Sequence, residues 1–589
     1  MKTKAITWAK PLSRSLSTMA LCLGSAAAGA GDPAAGSGTL PTATSTATYS
    51  FHTSRIESTA SGVTLRTGAE YVYTSIPEKI DVDLARQPKA AQWQAGDPSW
   101  EIPMRRDPPA IPDPRPVNKV ASLIDPVWQQ QGGARLRAAT SFATPAYSFD
   151  SIRSSLSPND PNGEVGKNWF VIAINASGGT QYKFYDKADP TITSGPYTLS
   201  ALGSGVCAGY GDPVVLYDEL ADRWIFTEFS SSGNRLCVYV SQTDDPISGG
   251  FYAYTFQAPT FPDYPKYAVW GDAYYVGTNE TGSSALWALD RSAMLNGQAA
   301  TMQRFTLAKP GAFGFAMIPP VDLDGHAEPP AGSPGIFIRH YDDEAHSPGS
   351  NVPTEDYLEL FEFDVDFATP ANSTLTGPIR IAVTEFSSNL CGYTSFSCFP
   401  QKGSSATLDP LREVVMNLPK YRNFGDHESI VGNFTVDVDG NDRGGIRWFE
   451  LRRSGGSWTL YQEGTWSPDS DNRFMGTSAM DQSGNIALGY SISSSSLYPG
   501  VRYTGRLESS PPGSMSEAET TLVGGTGPAP NSRWGDYGSM SVDPQDGCTF
   551  WLVENYAIAG SSARQTHVGS FKFDACGQDP FTLFKDGFE

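Results

Sequence analysis

One hairpin plan recurs along this chain and limits its fold more than any other feature. Residues 211–229 read "GDPVVLYDELADRWIFTEF" and residues 535–556 read "GDYGSMSVDPQDGCTFWLVENY". Each opens with Gly-Asp, runs through a strand of about five residues to an Asp turn, and returns along an aromatic strand ending at Glu228 or Glu554. Residues 270–290, "WGDAYYVGTNETGSSALWALD", follow the same plan with Asn279 at the turn. A longer version occupies residues 424–451, and residues 474–492 keep the strand, the Asp481 turn and the second strand without the leading Asp. The copies start at Gly211, Gly271, Gly425, Gly476 and Gly535, a spacing of tens of residues that matches the blades of a propeller.

Residues 167–186 and 313–325 supply material for two further copies, and the long interval before Gly425 holds an insertion. The expected fold is therefore all-β, a single β-propeller of about seven blades with an N-terminal extension. Composition agrees: 18% of residues are charged, 12% are aromatic, and 59 Gly and 44 Pro punctuate the chain, a balance suited to short strands and turns. A chain of 589 residues would otherwise divide into several domains, but separate β-sandwiches would need linkers between Lys167 and Cys576 that the sequence does not contain.

The turn at residues 541–551, "SVDPQDGCTFW", resembles the Asp-box turn of sialidase-type propellers, with extra residues before the Gly and before the Trp; "YDELADRW" and "MDQSGNIA" are looser versions. The resemblance implies a structural turn whose Asp accepts backbone amides while the aromatic packs between blades. From about Cys207 to Cys576 the chain also resembles a widespread group of uncharacterised secreted bacterial β-propeller proteins. The phrases "GDPVVLYDELADRW", "RWFELRRSGGSWTLYQEGTWSPD", "SAMDQSGNIALGYS" and "RWGDYGSMSVDPQDGCTFW" carry that likeness.

Residues 1–30 have the form of a secretory signal peptide: Lys2, Lys4, Lys10 and Arg14, a short apolar stretch, then "AGA" at residues 28–30. Leu21 before Cys22 does not suit lipid attachment. Residues 31–48 have linker composition, residues 49–165 read as a Pro-rich, partly ordered extension in which residues 62–76 form a hairpin, residues 166–578 hold the propeller, and residues 579–589 form a tail. That tail, "FTLFKDGFE", resembles short C-terminal tags on secreted proteins of some gram-negative bacteria, so the expected location is secreted or cell-surface. Secretion makes disulfides of the remaining six cysteines, with sequence neighbours pairing as Cys207 with Cys237, Cys391 with Cys398, and Cys548 with Cys576.

A net charge of −21 offers no basic stripe for a phosphate backbone, which excludes nucleic acid as a partner, and no run is long enough to span a bilayer. A monomer binding an extracellular glycan or small molecule is expected. In a propeller, residues before each inner strand stand around one channel mouth, so Asp212, Asp272, Asp426 and Asp536 are expected to converge there beside His427, Glu428, Arg533 and Tyr537, with Arg473 close by. Gathered acids can act as general acid and base or hold a cation. The alternative for each Asp is to cap its own loop.

Calcium is the cofactor considered, at Asp437, Asp439, Asn441 and Asp442 of "DVDGND", with "DLDG" at residues 322–325 a smaller version. A plain β-turn is the competing account. His340 and His346 of "HYDDEAH" are read as a solvated loop instead of a zinc site. Arg447, Arg502 and Arg533 could form a sialidase-like carboxylate clamp, and Trp466 and Trp534 could stack on sugars. No P-loop, dinucleotide fingerprint or nucleophile elbow occurs.

The expected function is carbohydrate binding at an acidic channel mouth. A polysaccharide hydrolase or lyase using Asp and Glu with His427 or Tyr537, or a protein-interaction platform without catalysis, are the alternatives.

Overall fold

The computed structural model describes residues 37–577 apart from 42–45, 60–61, 95–96, 98–99, 102–123, 132–143, 155, 178, 204, 208–209, 311–314, 347–351, 353, 394 and 562. The proposed leader at 1–30 and the tail at 579–589 lie outside the described residues.

Among the described residues, seven mainly antiparallel sheets form the blades, built from runs of β-branched and aromatic residues that alternate between two packed faces, and an eighth, two-stranded sheet pairs Trp100–Glu101 parallel with Leu156–Ser157. Blade 1 spans Asn162–Val165 to Thr193–Thr198, blade 2 Val214–Asp218 to Phe251–Gln257, and blade 3 Asp263–Val269 to Ala300–Ala308. Blade 4 contains Gly335–Tyr341, Tyr357–Asp364 and Thr374–Ala382, with Pro320 bridging Phe337 at its inner edge. Blade 5 spans Lys420–Asn423 to Thr459–Trp466, blade 6 Asn472–Met480 to Thr520–Val523, and blade 7 begins at Ser539–Val542. The innermost strands touch in a closed ring, with Asp322–Leu323 running parallel to Lys420–Tyr421 between blades 4 and 5. This is a seven-bladed β-propeller.

The core is a ring of layers between blades. Trp551 of blade 7 stacks on Phe170 of blade 1 at 4.8 Å, and Trp224 of blade 2 fills the next layer with Phe184 of blade 1. Three disulfides join the expected pairs, Cys207–Cys237, Cys391–Cys398 and Cys548–Cys576.

The N-terminal region differs from its sequence reading. Ser37–Pro41, in the stretch of linker composition, pairs as a strand with Thr46–Phe51, which runs from that stretch into the extension. Residues 62–76 do not form a hairpin, because the free outer edges of two blades compete for their backbone groups. Thr64–Thr67 extends blade 4, whereas Tyr71–Ser75 extends blade 3. Glu78–Ile80 then adds to blade 2. Tyr147–Arg153 forms the outer strand of blade 7, and Asn162–Val165 is the inner strand of blade 1, so the propeller begins before residue 166. The closing blade thus combines strands from both ends of the chain.

Candidate functional site

In every blade the chain passes from the inner strand outward, so loops before inner strands share one face, here called upper, and the first turns of the blades share the lower face. This separates the four Gly-Asp pairs. Asp212 and Asp536 precede the inner strands of blades 2 and 7 and lie on the upper face. Asp272 and Asp426 follow the inner strands of blades 3 and 5 and lie on the lower face. The repeated hairpin motif occurs at two positions in the blade, and sequence alone does not distinguish them.

On the lower face, Asp272 accepts a hydrogen bond from the Tyr275 hydroxyl at 3.2 Å. Exposed Asp426 contacts His427 Nδ1 at 2.7 Å, which holds its carboxyl below the usual range, while His427 stacks on Phe424. Glu428 is buried in an ion pair with Arg453 at 2.6 Å and accepts the Tyr421 hydroxyl at 2.7 Å. These residues stabilise local turns and strands and do not reach the upper mouth.

Upper-mouth residues meet closely. Asp160, before the inner strand of blade 1, binds the Asp536 amide at 3.1 Å and the Asn175 side-chain amide at 2.8 Å. Asn175 also accepts the Asp212 amide at 2.6 Å, and the Tyr537 hydroxyl donates to Asp212 at 3.1 Å. Lys266 of blade 3 donates to the Asp536 carbonyl at 3.0 Å and lies 2.9 Å from the centre of the Tyr537 ring. Burial pushes Asp160 well above the carboxylate range, reinforced by Asp536 and Asp212 and opposed by Arg533. Burial draws Lys266 well below the ordinary lysine range against the pull of the same carboxylates, and pushes the Tyr537 phenol upward.

Sequence reading missed Asp160, Lys266 and Tyr264. A short signal was present: Asp160, Asp212, Tyr264, Leu418 and Met475 all have left-handed φ between 40° and 52° and stand directly before Pro or Gly, the first four at the start of an inner strand and Met475 at a register shift inside Asn472–Met480. Such backbone costs a non-glycine residue about 1–2 kcal/mol, so its return in five blades marks a shared structural requirement.

Residues 384–418, the insertion expected before blade 5, cover part of this mouth. Leu390, Leu408, Leu411 and Met416 join Phe474, Trp534 and Tyr537 in one apolar cluster. Gln401 exchanges hydrogen bonds with the Ala529 backbone at 2.6 and 3.1 Å, and the Asp409 amide donates to the Ser532 carbonyl at 3.2 Å. Asp160 and Lys266 are buried beneath this arrangement, while Asp212 and Arg533 are half-buried and Tyr210 is 48% exposed.

The remaining candidates make the following contacts. Arg447 pairs with Asp125 at 2.8 Å and Glu463 at 3.0 Å, whereas Arg473 and Arg502 share Glu519, so no arginine clamp forms with Arg533. Trp466 and Trp534 are buried and donate to Tyr490 and Ser491. Asp437 accepts the amides of Asp439, Gly440 and Asp442, Asp439 pairs with Arg443 and accepts the Asn441 amide, and Asp442 accepts the Cys391 amide. These bonds organise the "DVDGND" turn. In "DLDG", Asp322 pairs with buried Lys420 at 2.7 Å. The "HYDDEAH" loop is buried instead of solvated: His340, Asp342 and Asp343 are at most 2% exposed. Its three acidic residues, Asp342, Asp343 and Glu344, together with Asp356 form a group that could hold a metal ion.

No protein-family model matches the sequence, and no curated protein matches it. Among solved structures, the chain is similar to an ulvan lyase from a new family of polysaccharide lyases, at 10% identity and TM-score 0.35 over 72% of this chain and 94% of that one. An α-L-arabinofuranosidase from Fusarium graminearum matches at 7% identity and TM-score 0.32 over 74% and 100% of the respective chains. The SapL1 lectin, bound to α-methyl fucoside, matches at 10% identity and TM-score 0.32 over 61% and 96%. Likenesses this distant carry no inference about activity. The seven sheets and their ring of inner strands make this chain a β-propeller in their own right.

Proposed function

We propose that this is a secreted propeller that binds an extracellular carbohydrate on the open side of its upper mouth. The supporting observation is the convergence of Asp160, Asp212, Asp536, Tyr537 and Lys266, with Asp212 and Arg533 extending the polar groups toward solvent. Carboxylates and hydroxyls suit sugar hydroxyl groups, and exposed Tyr210 offers a ring face beside them. Three disulfides fit an oxidising compartment. Among the described residues no helix is long and apolar enough to cross a membrane.

The test is a neutral and acidic glycan panel probed with wild type, Asp212→Asn and, as a lower-face control, Asp426→Asn. Binding that falls at least tenfold in Asp212→Asn and stays unchanged in Asp426→Asn supports the reading. Equal binding by all three, or no binding to any glycan, overturns it.

A second reading, polysaccharide cleavage at the same place, is favoured by the Tyr537 hydroxyl held 3.1 Å from half-buried Asp212, a phenol and carboxylate paired for proton transfer. Product analysis of bound glycans distinguishes it: an unsaturated end would indicate elimination, a new reducing end hydrolysis, and an intact chain binding alone.

A further inference from the structure

Beside the foot of the mouth cover, blade 4 concentrates negative charge that its own hydrogen bonds do not neutralise. Asp342, Asp343 and Glu344 follow the strand Gly335–Tyr341, and Asp356 immediately precedes Tyr357–Asp364. One oxygen from each of these four carboxyls lies within 4.8 Å of the others. Asp342, Asp343 and Asp356 are at most 1% exposed.

Backbone amides set the orientation of these groups. Asp342 accepts from Ala345 and Ser388, Asp343 from Val352 at 2.9 Å, and Asp356 from Asp343 at 3.0 Å and Phe386 at 2.8 Å. Ser388 and Phe386 belong to the segment leading into the cover, so the cluster joins blade 4 to that segment.

Glu385 gives an independent indication of a ligand. Its residue is 4% exposed, and neither side-chain oxygen accepts an amide, hydroxyl or guanidinium hydrogen bond among the described residues. Its contact is with the Glu344 carboxyl, which can donate only while protonated, and its charge faces Asp342 and Asp343. The neighbouring Arg447 is bound to Asp125 and Glu463 and reaches the Glu385 backbone carbonyl.

Burial and mutual repulsion both work against ionising these carboxyls together. A bound cation would relieve both effects. Among the described residues, no imidazole nitrogen belongs to the group of oxygens within 4.8 Å of one another: His346 Nδ1 accepts the Asp342 amide at 3.0 Å, and His340 contacts the Arg412 carbonyl through Nε2 at 3.0 Å. An all-oxygen donor set favours a hard cation over zinc.

We propose that Asp342, Asp343, Glu344, Asp356 and Glu385 form a calcium site that fastens the mouth cover to blade 4. Calcium accepts about six to eight oxygen ligands at about 2.3–2.6 Å, and it would hold the blade 4 loop against the segment entering residues 384–418. This proposal stands apart from the glycan reading, because calcium binding and cover protection are measured without sugar.

The experiment uses the full chain stripped with EDTA and titrated with calcium chloride by calorimetry, with thermal unfolding and limited proteolysis of residues 384–418 measured in parallel. One calcium per chain, a melting temperature raised by several degrees and slower cleavage of the cover are expected. Glu385→Gln should fold, equal or exceed stripped wild type in stability at neutral pH because it removes a repelling charge, and bind calcium at least tenfold more weakly. Asp437→Asn should bind calcium as wild type does. No calcium binding by stripped wild type, undiminished binding by Glu385→Gln, or loss of binding in Asp437→Asn overturns the proposal.

Discussion

Glu554 lies within the blade 7 strand Phe550–Tyr556 with no exposed surface, and its carboxyl is pushed up to about 8, chiefly by burial. One oxygen accepts the Asn555 amide at 2.8 Å, while the other has no hydrogen-bond partner among the described residues. The folded protein therefore keeps a proton that the unfolded chain releases near pH 4.5. This group's stabilising contribution is complete below about pH 4.5 and is lost as pH rises through about 8. Glu554→Gln, which remains neutral, should match wild type near pH 4.5 and exceed it by about 2–4 kcal/mol near pH 9. Parallel melting-temperature profiles from pH 4.5 to 9 would refute this account. The same burial explains which mouth residues were legible in the sequence. Asp212, Asp536 and Tyr537 stood in a repeated phrase, whereas Lys266 in "DYPKY" resembles an ordinary strand lysine until neighbouring blades and the mouth cover enclose it. Asp160 in "NDPNG" resembles a simple turn for the same reason.

At the scale of elements, a carboxylate ends the inner strands of blades 2, 6 and 7. Asp218 accepts the amides of Leu220 and Ala221, Asp481 those of Ser483 and Asn485, and Asp543 that of Gln545. The turn role expected at "YDELADRW", "MDQSGNIA" and "SVDPQDGCTFW" is thus carried by main-chain hydrogen bonds. Asp218 has an additional role: it accepts the Tyr274 hydroxyl at 2.9 Å and pairs with Arg291 at 2.7 Å, joining blade 2 to blade 3. Asp218→Ala should therefore cost about 3–5 kcal/mol, because it strands a largely buried guanidinium as well as two turn amides. Asp481→Ala, which disrupts hydrogen bonds within its own turn, should cost about 1–2 kcal/mol. Urea unfolding of the two variants measures the difference, and equal losses would argue against the inter-blade role of Asp218. Sequence revealed these turns because each combines Asp with a bend between apolar strands. It did not reveal the blade 3 partners, which lie more than 50 positions away.

At the scale of the whole molecule, closure depends on Tyr147–Arg153, which pairs with Gln565–Phe571 and completes blade 7. Phe149 adds its ring to Tyr185 of blade 1 at 4.7 Å, extending the contact into the next inter-blade layer. The repeat spacing made the number of blades legible because successive hairpins present the same apolar alternation. Among the N-terminal strands, those within residues 62–76 were legible but their separation onto two blades was not, and Arg55–Ser58 and Glu78–Ile80 were not legible, since such short polar sequences become strands only where an unpaired edge is offered. Their roles differ: those before residue 81 extend the edges of blades 2, 3 and 4, whereas Tyr147–Arg153 completes the ring. Two truncations separate these roles. A chain beginning at residue 146 should retain a cooperative unfolding transition with lower stability, because every blade keeps at least its three inner strands and blade 7 keeps its closing strand. A chain beginning at residue 157 should unfold broadly or aggregate, because it exposes the outer edge of blade 7 and the apolar surface near the junction with blade 1. Adding a peptide of residues 144–156 should restore part of the lost cooperativity in calorimetry. Equal cooperativity in the two truncated chains would show that the ring closes without this strand.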